Sequence, residues 1–268
     1  MKKTIKIFSL FIGFLTFSCS SDDSQENNNP TPTTFTINAV ASSTAVTVDQ
    51  EFTVTITSDE NMTGILYSYD NFVTEAGLFT GFGTSRTLKF NLDKVGANTI
   101  YFKATKEGNV YSSVKSLTVT VNRGNAVKVT GLQVISFSGI NTTWDPEYPT
   151  TNPNHLADVY FGFNKSTLNS PFEDGYSFRK WYTSSVKQNQ GDLTWSFTTE
   201  NLYIQPEKTI RIGLADEDNP PLGQDLMVGP PDYRDFNFSA YTTTKPNTVT
   251  FSYPEINLEF IVTVEWPN

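Results

Sequence analysis

The chain has 268 residues, one cysteine and one histidine, and its 28 acidic side chains outnumber 19 basic ones to give a formal net charge of −9. One cysteine excludes an intrachain disulfide framework and a cysteine-based zinc site, and one histidine excludes a multi-histidine metal centre. The negative charge disfavours nucleic acid and anionic lipid as partners, because neither gains free energy by meeting like charge.

The first residues have the layout of a secretory signal. A basic head with three lysines precedes residues 7–17, an apolar run too short to span a bilayer as a stable helix. The segment Leu15-Thr16-Phe17-Ser18-Cys19 resembles the relaxed lipoprotein box of Bacteroidota-type lipoproteins. The resemblance implies that residues 1–18 are a signal peptide and that Cys19 is the lipid-modified first residue of the mature chain. The alternative is ordinary secretion with an unpaired thiol, which would be reactive outside the cell.

Residues 19–33 are polar and contain prolines, so they cannot bury a core and are predicted to form a flexible tether. The acidic residues just after Cys19 resemble the surface-export signal of Bacteroidota lipoproteins. This resemblance implies a lipid-anchored protein of the outer membrane, exposed at the cell surface, that contacts the membrane through its lipid anchor only. The alternative is a solvated linker that happens to be acidic.

Residues 34–123 are predicted to form a small β-sandwich. Apolar and polar side chains alternate in several runs, as at Phe52, Val54 and Ile56, and this is the period of a half-buried strand. About seven such strands are the number found in an immunoglobulin-like sandwich. Residues 96–104 resemble the late strand of PKD-like and bacterial Ig-like domains, which implies a fold but no activity. The expected role is a spacer that holds the next domain off the membrane.

Residues 126–268 follow a turn-rich boundary and are also rich in predicted strands. The clearest strand covers residues 256–266, where apolar and polar positions alternate, and it is expected to form a hairpin with residues 248–253 across a turn at Pro254. Further strands are expected at residues 127–137, 158–163, 194–202, 210–214 and 236–241. Roughly eight strands predict a second sandwich larger than the first, so the fold class is all-β with two sandwiches in tandem.

Two acidic loops lie between these strands, at residues 144–161 and 214–229. Asp216 and Asp218 are two positions apart, so their carboxylates project to the same side of an extended chain. No lysine or arginine occurs between Arg211 and Arg234, and converging carboxylates without basic partners would repel each other at pH 7. A hard cation with six to eight oxygen ligands would relieve this repulsion.

The second half resembles a C2 domain, the calcium-binding β-sandwich whose ion site is built from aspartates on two loops at one end. The resemblance implies Ca²⁺ as the cofactor and implies five ligands: Asp145 and Asp158 on the first loop, and Asp216, Asp218 and Asp225 on the second. This chain departs from the family in its longer, proline-containing first loop, and it lacks the lysine-rich strand with which some C2 domains hold phosphoinositides. The alternative is turn chemistry, because aspartate often caps turns with its own side chain.

Two apolar side chains near these loops are candidates for partner contact. Trp144 could stack on a sugar or serve as a buried anchor at the base of its loop. Leu222, at the tip of a Pro-Pro-Leu-Gly segment, could touch a partner or be an ordinary exposed apolar residue.

Motifs of catalysis are missing from the sequence. It has no Gly-x-Ser-x-Gly elbow, no phosphate loop and no His-Glu-x-x-His motif, and the crowded acids lack the apolar pocket that would raise the pKa of one of them. The sequence therefore favours a surface lipoprotein that acts as a calcium-dependent binding or adhesion module toward an unidentified protein or glycan, without enzymatic activity. The alternatives are a structural accessory subunit of an outer-membrane complex that binds no calcium, and a carboxylate-based glycan-processing enzyme.

Overall fold

The computed structural model describes residues 35–218 and 223–268, and every strand in these ranges belongs to one of four β-sheets. The other regular elements there are four short 3-10 turns, at Pro153–His155, Gln188–Gln190, Ser239–Tyr241 and Pro254–Ile256. None of these described turns is a helix long and apolar enough to cross a membrane. The predicted all-β fold class, with β-sandwiches in tandem, is confirmed.

The first sandwich has nine strands in two sheets. They are β1 (Ile37–Ala41), β2 (Ala45–Thr47), β3 (Glu51–Met62), β4 (Gly64–Ser68), β5 (Ala76–Leu78), β6 (Gly83–Asn91), β7 (Gly96–Lys106), β8 (Val110–Tyr111) and β9 (Lys115–Asn122). One sheet has the order β1-β3-β6, and the other has the order β2-β9-β7-β4-β5, with β8 paired to β7. The runs β1-β3-β6 and β9-β7-β4 correspond to the A-B-E and G-F-C strand orders of an immunoglobulin-like sandwich.

The alternation seen in the sequence produces the core of this sandwich. Phe52, Val54 and Ile56 of β3 are buried, while the threonines between them are half-buried. Across the sheet Phe52 pairs with Phe90 of β6, and their rings stack with centroids 5.9 Å apart. Each large apolar side chain buried in this way stabilises the fold by about 1.5–3 kcal/mol relative to exposure.

The second sandwich has ten strands in two sheets. They are β10 (Val127–Ser136), β11 (Val159–Ser170), β12 (Glu173–Thr183), β13 (Thr194–Ser196), β14 (Tyr203–Ile204), β15 (Ile210–Asp216), β16 (Gln224–Asp225), β17 (Asp235–Phe236), β18 (Thr248–Tyr253) and β19 (Leu258–Glu265). One sheet has the order β13-β10-β19-β18, with β14 also on β10. The other has the order β12-β11-β15-β16, with β17 also on β15. An aromatic-rich core lies between the sheets, with Phe161, Phe163, Phe236 and Phe260 among its buried members.

The strand predictions for this half hold in part. The β18–β19 hairpin is confirmed, and its turn runs through Pro254 to Asn257, which has a left-handed φ of 51°. The predicted strand at residues 236–241 is wrong beyond Phe236, because the chain there enters the Ser239–Tyr241 turn. β12 was not predicted, since most of its side chains are exposed and show no clean alternation.

The two sandwiches belong to one compact unit and share a joint. The turn of the β11–β12 hairpin inserts Phe172 into the core of the first sandwich. Lys89 N–H donates to the carbonyl of Pro171 at 3.0 Å, and the Arg86 guanidinium donates to the carbonyl of Phe172 at 3.0 Å. Strand β11 therefore begins at the distal end of the second sandwich and ends against the first, roughly 35 Å away for an extended strand of this length.

Candidate metal centre

The centre of the site is Asp216, the last residue of β15. Every second residue of β15 is buried, beginning with Ile210. Asp216 falls on the same alternation as the buried isoleucines and leucine, so its side chain is buried too and is 0% exposed. Its Oδ1 accepts a hydrogen bond from the backbone N–H of Asp158 at 2.6 Å. Its Oδ2 is buried and has no hydrogen-bond partner among the described residues. A buried carboxylate oxygen without a partner is costly, and such exceptions in a fold call for an explanation.

Two further carboxylates converge on Asp216. Asp145, Asp216 and Asp218 each offer one oxygen, and these three oxygens all lie within 4.8 Å of one another. Oxygens that bind one Ca²⁺ at 2.3–2.6 Å can be at most about 5 Å apart, so the spacing suits a shared ion. The donor set consists of oxygen alone, which is what hard cations prefer.

The long first loop reaches the cluster because its two ends are tied together. The backbone N–H groups of Trp144 and Asp145 both donate to the carbonyl of His155, at 2.8 and 3.3 Å. The Trp144 indole N–H donates to the carbonyl of Gly139 at 3.0 Å, and the ring packs against the core. Trp144 is thus an anchor that fixes the position of Asp145. A buried anchor is the alternative that the sequence left open beside stacking on a sugar.

Burial and mutual repulsion raise the pKa of two of the acids. The pKa of Asp145 is raised to about 6 by burial, then by its hydrogen bond with Asp218 and by the charges of Asp216 and Asp218. The pKa of Asp216 is also raised, first by burial and then by the charges of Asp218 and Asp158, although the N–H of Asp158 opposes this. The sequence predicts no apolar pocket that would raise one of these pKa values, and here the shift comes from burial within the cluster together with like charge.

Asp158 lies beside the three clustered acids rather than among them. Its Oδ1 accepts the backbone N–H of Asn189 at 2.7 Å. Together with Asp145 and Asp218, it lines an open polar hollow of about 350 Å³. Its role in this arrangement is to hold the loops, since its N–H binds Asp216 and its carboxylate binds Asn189.

Asp225 does not join the cluster. It pairs with Ala215 on β15, whereas Asp216 pairs with Gln224, and strand neighbours point to opposite faces. The side chain of Asp225 is therefore on the outer face of the sheet, where its Oδ1 accepts the N–H of Met227 at 2.8 Å. This register corrects the prediction that Asp225 is a ligand of the ion. Leu222 and Cys19 lie outside the described residues.

A third segment at the site, Gln188–Gln190, was missed from the sequence. Asn189 and Gln190 have left-handed φ values of 54° and 48°, and their N–H groups donate to Asp158 Oδ1 and to the carbonyl of Ala157. Gln188 and Asn189 line the same hollow as the acids, so they place further oxygens near the cluster. The sequence did contain a signal for this turn, namely Asn189, because asparagine tolerates the left-handed conformation better than most residues.

Comparisons with known proteins were made for the whole chain. No protein-family model matches it, and no curated protein matches it. Among solved structures, the PKD domain of an M14-like peptidase from Thermoplasmatales archaeon SCGC AB-540-F20 is 16% identical, with a TM-score of 0.29, and the match covers 33% of this chain and 94% of that one. The fibronectin(III)-like modules of Clostridium thermocellum CbhA are 11% identical, with a TM-score of 0.25, and cover 70% of this chain and 89% of their own. TM-scores this low show neither a shared family nor a shared activity, so the assignment of the fold rests on the strand order.

Proposed function

We propose that the chain is a calcium-dependent binding or adhesion module, in which a C2-like second sandwich carries the ion and the Ig-like first sandwich acts as a spacer. The observation that carries this function is the buried, unpartnered Oδ2 of Asp216, a residue that meets Asp145 and Asp218 with oxygens within 4.8 Å. Calcium would supply the missing partner and cancel the repulsion that now raises the pKa values.

Binding of the ion would fix three segments at once. Asp145 belongs to the β10–β11 loop, Asp216 ends β15 and Asp218 follows it, and Asn189 holds the third segment through Asp158. These segments meet at the end of β11 remote from the first sandwich. An ion there would make a rigid distal tip, and three carboxylates leave part of a shell of six to eight oxygens for other groups. A partner that offers oxygens, either protein or glycan, could complete the shell.

The geometry favours an ion over carboxylate catalysis. Glycoside hydrolysis needs two carboxyl groups about 5–9.5 Å apart, so that a sugar carbon or a water fits between them. Asp145 and Asp218 are instead close enough to share a hydrogen bond. The role assigned here is therefore binding without turnover.

Anchoring of the module rests on the sequence. We place Cys19 as the lipid-modified residue, with residues 1–18 removed and the tether exposing the protein at the surface of the outer membrane. Cys19→Ser is expected to release soluble protein or to leave uncleaved precursor, as followed by fractionation and fatty-acid labelling. Continued labelling of that variant would contradict the assignment.

Calcium titration of the purified full chain tests the ion site. A ligand at 100 times its Kd stabilises a protein by about 2.7 kcal/mol, which for a chain of this size is roughly 5–10 °C in Tm. We expect a rise of this order in millimolar calcium, and its loss in the double variant Asp216→Asn, Asp218→Asn. Asp225→Asn is the matched control, because this acid leaves the same loop on the other face of the sheet and should keep the full rise.

Two results would refute the calcium site. One is a Tm of the unmodified chain that does not change with calcium, which would favour the structural accessory subunit. The other is a calcium-induced rise that persists in the double variant.

A further inference from the structure

A groove runs over the outer face of the sheet β12-β11-β15-β16, on the side away from the core. Its floor consists of Gly162, Gly213 and Ala215, and register places Tyr160 opposite Ala215 and Gly162 opposite Gly213. These positions are half-buried, whereas their strand neighbours are buried in the core. The groove has a volume of about 440 Å³, within the range of ligand sites in proteins.

The two strand glycines are not required by the fold. A Cβ on Gly213 would come no closer than 4.0 Å to its nearest neighbour, the carbonyl oxygen of Gly162, and a Cβ on Gly162 would lie 3.8 Å from the carbonyl oxygen of Tyr182. Neither residue has a positive φ. Glycine within a strand costs stability, and it often marks a bulge, a bend or a place where a ligand or another backbone approaches closely. Both glycines lie in regular register with no bulge between them, which leaves a close approach from outside the sheet.

An aromatic wall borders this floor. Tyr233 is 62% exposed and lies against the guanidinium of Arg211, whose carbon is 3.8 Å from the ring centroid, and Phe178 covers the other face of that guanidinium at the same distance. Arg211 also binds Asp235 with two hydrogen bonds, of 2.6 and 2.9 Å. The stack is therefore rigid before any ligand arrives, which reduces the entropy lost on binding.

A buried donor without a partner also lines the groove. Arg234 is 7% exposed, and its terminal nitrogens donate to the carbonyls of Met227, Gly229 and Asp232. Its Nε–H has no partner among the described residues. The bonds of the terminal nitrogens hold Arg234 in place beneath the groove, so the residue serves as a fixed part of its wall.

We propose that this outer groove binds an uncharged oligosaccharide. Sugar C–H faces stack on exposed aromatic rings, and sugar hydroxyls can donate to the carboxylates of Asp225 and Asp232, which line the groove. The two arginines of the groove are balanced by these two acids and by Asp235, so no surplus positive charge attracts a phosphate or an acidic polymer. The groove and the ion site lie on opposite faces of β15, because Asp216 points to the core side.

The test is calorimetric titration of the full chain, in a chelator, with neutral tetrasaccharides built from glucose, mannose or xylose, and with a tetragalacturonate as the acidic comparison. We expect saturable binding of a neutral member. Gly213→Val fills the floor and should weaken this binding at least about tenfold. The variant should keep or raise its Tm, since valine favours strands. Gly81→Val is its control, because a side chain at this loop position meets nothing within 4 Å.

A second variant keeps the test decisive if Gly213→Val fails to fold. Tyr233→Ala should also lose binding, whereas Tyr176→Ala, at an exposed tyrosine of β12 that does not line the groove, should not. Three outcomes would overturn the proposal: no neutral tetrasaccharide binds, the acidic one binds in their place, or binding is unchanged in both Gly213→Val and Tyr233→Ala. Because calcium is absent throughout, none of these outcomes bears on the ion site.

Discussion

Removal of the Lys165 ammonium is expected to destabilise the joint between the two sandwiches. Lys165 lies on β11 at a position that faces inward, and its Nζ is 2.6 Å from Asp49 Oδ1 of the first sandwich. The two side chains are 4% and 3% exposed. Nζ also contacts Asp93 Oδ2 at 3.2 Å and donates to the carbonyl of Tyr203 at 3.0 Å. The substitution Lys165→Met keeps most of the side-chain volume and removes only the charge and its hydrogen bonds.

The expected loss follows from the burial of the partner. Breaking a buried ion pair from one side typically costs 3–5 kcal/mol, because the remaining charge is left in a poorly solvated place. The pKa of Asp49 is already raised, since burial outweighs the attraction of Lys165, so Asp49 would take up a proton when the lysine is absent. That protonation limits the cost, and we expect a loss near the lower end of the range, about 3 kcal/mol.

Urea unfolding of the full chain, followed by tryptophan fluorescence, measures this loss. The double variant Asp49→Asn, Lys165→Met removes both charges and should recover most of the stability, as paired neutralisation of buried ions often does. Lys89→Ala is the matched control, because its ion pair with Asp174 also joins the two sandwiches but is solvent-exposed, and it should shift the midpoint little. An unchanged midpoint in Lys165→Met, or a double variant less stable than the single one, would refute the reasoning.

Three other perturbations test different parts of the structure. Phe172→Ala should destabilise the chain by about 3 kcal/mol, because the ring fills the core of the first sandwich from the β11–β12 turn, and unchanged urea unfolding would show that the insertion contributes nothing. Asn189→Ala should weaken calcium binding severalfold while Asn189→Gly retains it, because glycine adopts the left-handed φ of 54° without strain; equal calcium affinities in the two variants would count against a role for this turn. The third perturbation is a change of pH in the metal-free chain, where the pKa of Asp145 is about 6 against an ordinary 3.8. Between these two pH values the folded state binds more protons than the unfolded state, so the free energy of unfolding falls as pH rises through this window. Asp145→Asn should reduce that fall in a Tm–pH series, and an identical slope in both proteins would contradict the raised pKa.

The strands and the pair Asp216 and Asp218 could be predicted from the sequence because both depend on local spacing, whereas Asp145 was implied only by the resemblance to a C2 domain. Alternation predicts which residues of β3 and β19 face the core, and the spacing of Asp216 and Asp218 predicts that they share a side. The prediction that Asp225 is an ion ligand is wrong for a physical reason. Its face depends on the register of β16 against β15, which pairs Asp225 with Ala215, and no local period in the sequence encodes that pairing.

The contact between the two sandwiches could not be predicted from either half of the sequence alone. The inward positions of β11 run Val159, Phe161, Phe163 and Lys165, so a lysine at a core position was a visible anomaly. Its partner, Asp49, lies more than a hundred residues earlier, and nothing local links the two. An inward-facing charge in a strand predicts a partner, but only the tertiary fold identifies it.

Strand β15 serves both the ion site and the outer groove, because successive side chains leave a strand on opposite faces. Asp216 is on the inner face with the isoleucines and Leu214, while Gly213 and Ala215 form the floor outside. Inserting one residue between Gly213 and Asp216 would shift the register beyond the insertion and exchange the faces there, so both sites would be lost together. A point substitution on either face leaves the other set of side chains in place. Calcium binding and sugar binding can therefore fail separately, and a variant that loses both without unfolding would mean that the two faces are not independent.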